Sequence, residues 1–359
     1  MNIAYISDVI YPFVNGGAEK RIYEMGTRLA TNEEVHVFGM KWWQGKKDID
    51  LGGMHLHGVC KPLNLYVGKR RSLQEAVRFA GSLGAVSGYD LDVIDCNQFP
   101  YLPCFPSKLI SLLRGSPLVI TWHEFWGDYW YQYLGSFGFL GKLTERATLK
   151  LADKLVAVST ATKKNLERFR KDLALVPNGV DIAFIESVAP AETSVDALFV
   201  GRLIPEKNVD MLIRAMPANW TLCIAGDGPE KERLVRLSRE VNATVHFVSG
   251  LTYRELISII KAANSLVLPS SREGFGLVAL EALACGTPVI TSSAQNNAAK
   301  ELIDQGVNGF VVDLVPEAIE SALLDANKEQ MSLAAKASAA NFDWDLLCKK
   351  LFDVYRSLT

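Results

Sequence analysis

One stretch in the second half of the chain combines apolar and glycine-containing segments in an order that strongly restricts the fold. Residues 265–268 predict a short buried strand, and a polar loop with two glycines leads from it to a helix that begins at about Leu277. Gly286 occupies a helix C-cap position, and Pro288 prevents the helix from continuing into the next strand, 289–291. The stretch therefore predicts a strand–loop–helix–strand unit of an α/β sheet.

Two glutamates flank the glycines of this loop. Glu273 is predicted in the loop at the carboxyl edge of the sheet, and Glu281 in the second turn of the helix. Gly274 and Gly276 let the backbone approach a ligand and direct N–H groups at it. Because carboxylates accept hydrogen bonds from hydroxyls and a helix N-terminus favours negative charge, the loop suits a ligand that carries hydroxyls and an anion.

The run Glu273-Gly-Phe-Gly-Leu-Val-Ala-Leu-Glu281, continued by Ala-Leu-Ala-Cys-Gly-Thr-Pro-Val-Ile, resembles the signature of the retaining, nucleotide-sugar-dependent glycosyltransferases of family 4. The resemblance implies the GT-B fold: two Rossmann-like, doubly wound α/β domains with the active site in the cleft between them. It also implies that Glu281 accepts hydrogen bonds from the ribose of the donor and Glu273 from the transferred sugar. The backbone groups it places at the sugar or phosphate belong to Gly274, Phe275, Gly276 and Leu277.

A second candidate site lies after the strand predicted at 197–200. Arg202 and Lys207 are five residues apart in the loop between this strand and the next helix, so both side chains can converge at the sheet edge. Two cations beside a helix N-terminus suit a diphosphate leaving group, whereas unpartnered surface charges are the structural alternative. The resemblance assigns the pair to the donor pyrophosphate. It also places backbone groups near Gly250 and Leu251 at the nucleotide base.

The first half of the chain predicts another parallel sheet with helices between its strands. Its first strand, residues 3–7, is followed by a loop in which Gly16 and Gly17 open a helix, so that backbone N–H groups are available for phosphate. The loop lacks the G-x-G-x-x-G spacing of dinucleotide sites, which argues against a dehydrogenase. A tight turn without a ligand is the alternative. The resemblance places this loop against the donor diphosphate or the acceptor.

A histidine and several aromatic residues follow the strand predicted at 118–122. His123 stands at the carboxyl end of this strand, where it could donate a hydrogen bond to a sugar hydroxyl or a phosphate oxygen. The resemblance places it near the transferred sugar. Trp126, Tyr129 and Trp130 are candidates for an acceptor groove, because aromatic faces stack on sugars. A membrane-interface segment and a packed lid without a ligand are the alternatives.

Composition is typical of a globular protein of about two domains: 359 residues, 49% hydrophobic and 22% charged, with net charge −2. No apolar run approaches the roughly 20 residues of a membrane helix, and the N-terminus shows no signal-peptide pattern. The six cysteines lack metal-site spacing and predict reduced thiols of a cytoplasmic protein. We expect no metal and no cofactor, and nucleic acid is not a predicted partner.

The turn at residues 176–181 predicts the domain boundary. We expect an acceptor-binding domain at 1–176, completed by a C-terminal helix within 342–359, and a donor-binding domain at 177–341. The helix of residues 344–358 resembles the one by which GT-B enzymes return to the first domain.

The predicted reaction moves a hexose from a UDP- or GDP-linked donor to a hydroxyl of a glycan or lipid-linked acceptor, with retention. The product would belong to glycolipid, lipid-linked oligosaccharide or polysaccharide biosynthesis. A non-catalytic scaffold that binds sugar nucleotides and a GT-B-fold nucleotide-sugar epimerase are the alternatives. Contact of the first domain with the inner face of the membrane is left open, through the aromatic stretch and the basic run Lys69-Arg70-Arg71.

Overall fold

The computed structural model describes residues 1–67 and 70–359, and these form two compact units. The first contains Met1–Asn178 and Trp344–Thr359, and the second contains Gly179–Asp343. The first boundary lies two residues after the predicted one, because Arg21 holds the turn residues within the first unit. Its guanidinium donates to the carbonyl of Pro177 (2.6 Å) and to Oδ1 of Asn178 (3.1 Å).

Helices follow most of the strands along the described residues. The strands of the first unit are β1 (Asn2–Ile6), β2 (Glu34–Met40), β3 (Asp48–Leu51), β4 (Met54–Cys60), β5 (Tyr66–Val67), β6 (Arg70–Arg71), β7 (Val93–Asn97), β8 (Leu118–Trp122), β9 (Lys154–Ala157) and β10 (Leu173–Leu175). Those of the second unit are β11 (Ala197–Val200), β12 (Thr221–Ala225), β13 (Thr244–Val248), β14 (Ser265–Leu268), β15 (Arg272–Glu273), β16 (Val289–Ser292), β17 (Asn296–Asn297) and β18 (Gly309–Val312). The helices of the first unit are α1 (Gly17–Leu29), α2 (Leu73–Ser82), α3 (Cys104–Arg114), α4 (Tyr129–Leu134), α5 (Gly138–Thr148) and α6 (Thr160–Glu167). The second unit contains α7 (Ile182–Ser187), α8 (Val209–Ala215), α9 (Lys231–Glu240), α10 (Tyr253–Ala262), α11 (Leu277–Ala284), α12 (Pro316–Asp325) and α13 (Lys328–Ala339), and α14 (Trp344–Arg356) returns to the first unit.

The first unit is built on an eight-stranded sheet in the order β10-β9-β8-β7-β1-β2-β4-β3. Every pair in it is parallel except β3 with β4. Strands β1, β7 and β8 are buried along almost their whole length, as expected where helices cover both faces of a parallel sheet. The antiparallel edge strand β3 was not predicted, because its sequence Asp-Ile-Asp-Leu contains acidic residues that are rare in strands.

The second unit is built on a six-stranded parallel sheet in the order β13-β12-β11-β14-β16-β18. In both sheets the chain starts at a central strand, builds outward on one side, and then returns to build on the other. The prediction of two doubly wound α/β domains is therefore confirmed. Within the described residues, no helix is both long enough and apolar enough to cross a membrane.

A buried polar cluster attaches the C-terminal helix α14 to the first unit. Tyr355 donates a hydrogen bond to Asp95 Oδ2 (2.5 Å), and Thr121 Oγ1 donates to Asp95 Oδ1 (2.8 Å). All three side chains are almost completely buried, and burial raises the pKa of Asp95 above its ordinary value. Because a buried acceptor without donors is costly, α14 is held by polar as well as apolar contacts.

We expect Tyr355→Phe to lower the free energy of unfolding by about 1–3 kcal/mol, because it removes a donor from buried Asp95 without creating a cavity. Urea denaturation measures this change. Tyr131→Phe is the control, since it removes the same hydroxyl from an exposed ring. An equal loss in both variants would contradict the role assigned to the Asp95 cluster.

Candidate functional site

The strand order of the second unit directs attention to one edge of its sheet. β11 and β14 are neighbours, and the chain leaves them toward opposite sides, so their carboxyl ends border a topological switch point. Ligands of open α/β sheets bind at such points, where the loops after the two strands diverge. Arg202 and Lys207 lie in the segment after β11, and Glu273 lies in the short strand β15 that follows β14. The fold therefore brings the two sequence-predicted loops to one place.

Lys207 and Glu273 form a direct ion pair between Nζ and Oε2. Their side chains retain only 17% and 20% of their exposure, so the pair is largely withdrawn from water. Burial of a charge is costly unless an opposite charge accompanies it, which makes each of these side chains dependent on the other. The ion pair thus joins Lys207, which the resemblance assigns to phosphate, to Glu273, which it assigns to sugar hydroxyls.

Two residues that the sequence analysis missed fasten these loops together. The backbone N–H of Ser271 donates to the carbonyl of Glu206 (2.9 Å), and Asn208 Nδ2 donates to the carbonyl of Pro269 (3.1 Å). Asn208 has left-handed backbone with φ 47°, a conformation that asparagine tolerates better than most residues. An asparagine directly after Lys207 is the one local sign of this contact in the sequence. Its partner Pro269 could not be predicted, because it lies on another loop 61 positions away.

Glu273 is also held from its other side. Arg272–Glu273 pairs in parallel with Asn296–Asn297, and buried Asn297 donates through Nδ2 to the carbonyl of Ser292 (2.8 Å) and to Thr291 Oγ1 (2.9 Å). Asn297 therefore links the Glu273 loop to the end of β16. Asn297 could not be identified from sequence, because nothing in the neighbouring residues indicates its pairing with the Glu273 segment.

Helix α11 begins directly after Gly276, as predicted. Gly276 is its N-cap and has φ 91°, and a Cβ atom there would lie 2.5 Å from the Cβ of Ala299. Glycine is thus required both by conformation and by space. The first N–H groups of the helix, beginning at Leu277, lack partners within it and are oriented to receive an anion. Phe275 is buried and contacts Phe342, so this residue contributes packing beside its backbone.

Glu281 lies in the second turn of α11 and is only 5% exposed. Burial, with the charge of Glu281 as the next cause, raises the pKa of Cys285 to about 12 and keeps this thiol protonated. Glu281 is therefore largely withdrawn from solvent within its helix, and its assignment to the ribose stays a prediction.

The other donor residues predicted in the second unit lie in the loops that follow β11 and β13. Arg202 is exposed in the loop after β11. Gly250 and Leu251 follow β13, the outermost strand, and Gly250 has left-handed backbone with φ 75°. In the described part of the chain, no group of three or more His, Cys, Asp or Glu side chains is arranged to hold a metal ion.

In the first unit, the N-terminus of α1 already has an acidic partner. Gly16 is the N-cap, Gly17 begins the helix, and the carboxylate of Glu19 accepts hydrogen bonds from the backbone N–H groups of Ala18 and of Glu19 itself. Burial raises the pKa of Glu19 above its ordinary value. An incoming phosphate at Gly16 and Gly17 would therefore compete with Glu19, which the sequence analysis did not consider.

His123 follows β8 and is fixed by the end of β7. Its backbone N–H donates to Gln98 Oε1 (3.0 Å), and its Nε2 lies 3.1 Å from Asn97 Oδ1. Burial, and next the charge of Arg21, lower the pKa of His123 to about 3, so the ring is neutral near pH 7. With the amide oxygen as acceptor, Nε2 carries the proton and Nδ1 is the acceptor. The neutral ring thus has one donor and one acceptor nitrogen, and the placement of His123 near the transferred sugar stays a prediction.

The aromatic residues after His123 form a packed group rather than an open groove. Trp130 is 7% exposed and belongs to the hydrophobic core, in contact with Tyr101, Trp126 and Tyr133. The assignment of Trp130 to the acceptor is therefore wrong for its ring as folded, because close packing of the core leaves a sugar no access to it. Trp126 and Tyr129 are half-buried and contact each other edge to face, and their assignment stays a prediction.

The basic run Lys69-Arg70-Arg71 was a candidate for contact with lipid headgroups. Lys69 lies outside the described residues. Arg71 pairs with buried Asp8 and lies 3.6 Å from Glu75 Oε2, and its side chain is 13% exposed. Arg71 is therefore a structural cation and not a free surface charge, which corrects the expectation for this residue.

Comparison with known proteins agrees with the geometry of both units. The family model "Glycosyltransferase Family 4" matches residues 15–184, and the model "Glycosyl transferases group 1" matches residues 181–343. The chain belongs to the family 4 glycosyltransferases. It is 29% identical over 297 residues to the glycogen synthase of Mycobacterium tuberculosis (strain ATCC 25618 / H37Rv), a match that covers 76% of this chain and 70% of that protein.

Solved structures of glycosyltransferases share the GT-B fold of this chain. Sucrose-phosphate synthase from Thermosynechococcus elongatus superposes with a TM-score of 0.84 at 23% identity, over 99% of this chain and 98% of the other. The Anabaena protein Alr3699/HepE in complex with UDP-glucose gives a TM-score of 0.76 at 17% identity, over 99% of this chain and 100% of the other. At this level of identity the likeness shows the fold alone.

The pKa of His123 predicts a pH dependence of stability. Its folded-state pKa of about 3 lies below its ordinary value of 6.5, so the neutral ring stabilises the fold above pH 6.5 and this stabilisation is lost as pH falls toward 3. We expect the unfolding free energy of His123→Gln to decrease less steeply than that of the wild type from pH 6.5 to about 4. His246→Gln, at an exposed strand position, should keep the wild-type slope. Equal slopes for His123→Gln and the wild type would contradict the buried neutral ring.

Proposed function

We propose that the protein transfers a hexose from a nucleoside diphosphate sugar to an acceptor hydroxyl with retention of anomeric configuration. The observation that carries this proposal is the Lys207–Glu273 pair at the switch point of the second sheet, beside the N-terminus of α11. The pair places a phosphate-binding cation next to a carboxylate that can accept from sugar hydroxyls. A nucleotide sugar presents both chemical groups side by side.

The cations act on the leaving group. When the bond between the sugar C1 and the diphosphate oxygen breaks, negative charge develops on that oxygen, and Lys207 and Arg202 stabilise it together with the first N–H groups of α11. Lys207 exchanges part of its contact with Glu273 for the phosphate, and Glu273 then accepts from hydroxyls of the transferred sugar. Because the two loops are fastened by Ser271 and Asn208, this exchange needs only side-chain movement.

Retention follows from attack on the same face of the sugar that the diphosphate leaves. The acceptor oxygen forms the new bond to C1, and its proton passes to an oxygen of the departing diphosphate, so no carboxylate nucleophile is required. Glu281 accepts from the ribose hydroxyls and thereby fixes the donor at its other end. His123 contributes an acceptor nitrogen for a sugar hydroxyl, in keeping with its neutral ring.

The donor is proposed to be UDP- or GDP-linked, and the acceptor a glycan or a lipid-linked sugar. The UDP-glucose complex of Alr3699/HepE supports a nucleotide-sugar donor, and the similarity to a glycogen synthase supports a polysaccharide acceptor. The six free cysteines support a reducing, cytoplasmic site of action. The role of the product in glycolipid, lipid-linked oligosaccharide or polysaccharide synthesis is part of the same proposal.

We expect one of UDP, GDP and ADP to raise the melting temperature selectively, because a ligand that binds only the folded state stabilises it. Arg202→Ala and Glu281→Gln should each weaken this binding about tenfold or more, since each removes a charge-assisted hydrogen bond to the nucleotide. The thermal shift is measured in parallel for the three nucleotides, followed by a titration of the one that binds.

Arg236→Ala and Glu329→Gln are the matched controls, because they make the same substitutions at exposed helical positions outside the switch point. The proposed donor site is wrong if no nucleotide shifts the wild type, or if the controls lose binding equally. Isomerisation of the sugar nucleotide without an acceptor would instead indicate an epimerase. Selective binding without transfer to any glycan or lipid-linked acceptor would favour a scaffold.

We further propose that transfer is independent of metal ions, since Arg202 and Lys207 supply the positive charge that the leaving diphosphate needs. Transfer activity is therefore expected to be unchanged by a chelator such as EDTA, and Lys207→Ala should lower kcat/KM by about two orders of magnitude or more. Activity that disappears with the chelator and returns with added divalent cation would contradict this proposal.

A further inference from the structure

Three helices of the first unit cover the same face of its sheet. Phe79 of α2, Ile110 of α3 and Leu149 at the end of α5 belong to one hydrophobic cluster with strand residues such as Ile120. Glu145 of α5 accepts a hydrogen bond from Tyr101 (2.9 Å), which lies just before α3. We call the solvent side of α2, α3 and α5 the outer helical face.

The outer helical face exposes an unusual number of large apolar side chains. On α3 they recur at the three- and four-residue spacing of one helical stripe, and Leu112 and Leu113 are 68% and 70% exposed. The other two helices also expose large apolar side chains. The exposed apolar residues are Leu73 and Val77 on α2, Phe105, Leu109, Leu112 and Leu113 on α3, and Phe139, Leu140 and Leu143 on α5. The buried side of these helices consists mostly of small or polar residues, which in α5 are Gly138, Gly141, Glu145 and Thr148, whereas the large apolar side chains point to solvent. Such an exposed apolar surface indicates an interaction site.

The solvent-exposed charged residues of the same three helices are all basic. Their two acidic residues, Glu75 and Glu145, are 0% and 1% exposed and lie beneath the surface. Their basic residues are Arg78, Lys108, Arg114, Lys142 and Arg146. Lys108 and Lys142 reach Asp153 and Asp128 on adjoining loops, whereas Arg78, Arg114 and Arg146 are exposed to solvent. The outer helical face is therefore apolar and cationic together.

We propose that the outer helical face docks on the surface of an anionic lipid bilayer. Apolar side chains on a helix that lies in the interface gain free energy by entering the acyl boundary, and exposed arginines gain free energy near anionic headgroups. A second copy of this chain is the less suitable occupant, because two such faces would oppose like charges across the contact. The surface differs from the residues considered from sequence alone, since Trp130 is buried and Arg71 is paired with Asp8.

This docking deepens the proposed function, because it would deliver the first unit to a lipid-linked acceptor, but it does not require nucleotide binding. Leu109 and Leu113 lie in a different unit from the Lys207–Glu273 pair. The two proposals can therefore fail separately: vesicle binding tests the surface, and the nucleotide thermal shift tests the donor site.

The test measures co-sedimentation of the full chain with vesicles of phosphatidylcholine alone and of equal parts phosphatidylcholine and phosphatidylglycerol. We expect binding to the anionic vesicles, weakened by high salt because part of it is electrostatic. The double variant Leu109→Gln/Leu113→Gln should lower the partition coefficient about tenfold or more. Arg78→Gln/Arg146→Gln should reduce binding to anionic vesicles and leave binding to the neutral ones unchanged.

Matched controls make the same changes on the second unit. Leu324→Gln/Leu333→Gln replaces two leucines that are 62% and 83% exposed, and Arg236→Gln/Arg239→Gln replaces two exposed arginines of α9. All variants should keep the wild-type circular dichroism and nucleotide thermal shift. Equal loss of vesicle binding in the leucine controls would overturn the proposal. The proposal would also be overturned if the wild type bound neither vesicle type. If the wild type instead formed a dimer that Leu109→Gln/Leu113→Gln dissociates, a second copy of the chain would be the occupant.

Discussion

The ion pair between Lys207 and Glu273 is the interaction on which the candidate site depends. Each charge is mostly removed from water, so the two loops that carry them are held together by electrostatics as well as by the backbone bonds of Ser271 and Asn208. Loss of one partner from a largely buried pair leaves an uncompensated charge, which is more costly than the pair is favourable. The pair therefore holds together the two loops at which we propose that the donor binds.

Much of the second unit could be predicted from sequence, because its signals are local. Strands 197–200 and 265–268 and the helix that begins at Leu277 are observed at the predicted residues, since short apolar runs, glycines and a proline define their ends. The meeting of Lys207 and Glu273 was predictable only as a convergence of two loops at one sheet edge. Their direct contact, and the supporting amides of Asn208 and Asn297, depend on residues that are distant in sequence and carry no local pattern.

The first unit was harder to predict, because burial reverses the roles of several side chains. A histidine at a strand end suggests a hydrogen-bond donor. Burial and the charge of Arg21 lower the pKa of His123 and keep its ring neutral, and its Nε2 is hydrogen-bonded to Oδ1 of Asn97. An aromatic run suggests a stacking groove, but Trp130 fills the core, while the exposed apolar residues lie on α3 and α5. In α3 the usual pattern is partly inverted, because the buried positions include Ser107 and Ser111 whereas Leu112 and Leu113 are exposed, so no polar stripe marks the solvent side.

Glu19 affects how the N-terminus of α1 can bind an anion. A helix N-terminus attracts negative charge whether it comes from a ligand or from the helix itself, and Glu19 supplies it at α1, whereas α11 has no acidic residue in its first turn. Burial raises the pKa of Glu19, so its ionised form is less favourable than in water, and an external phosphate needs to replace only a weakened internal anion. The N-terminus of α11 offers its N–H groups without such competition. The two helix N-termini therefore differ in their electrostatics, and this difference supports α11 as the proposed diphosphate site.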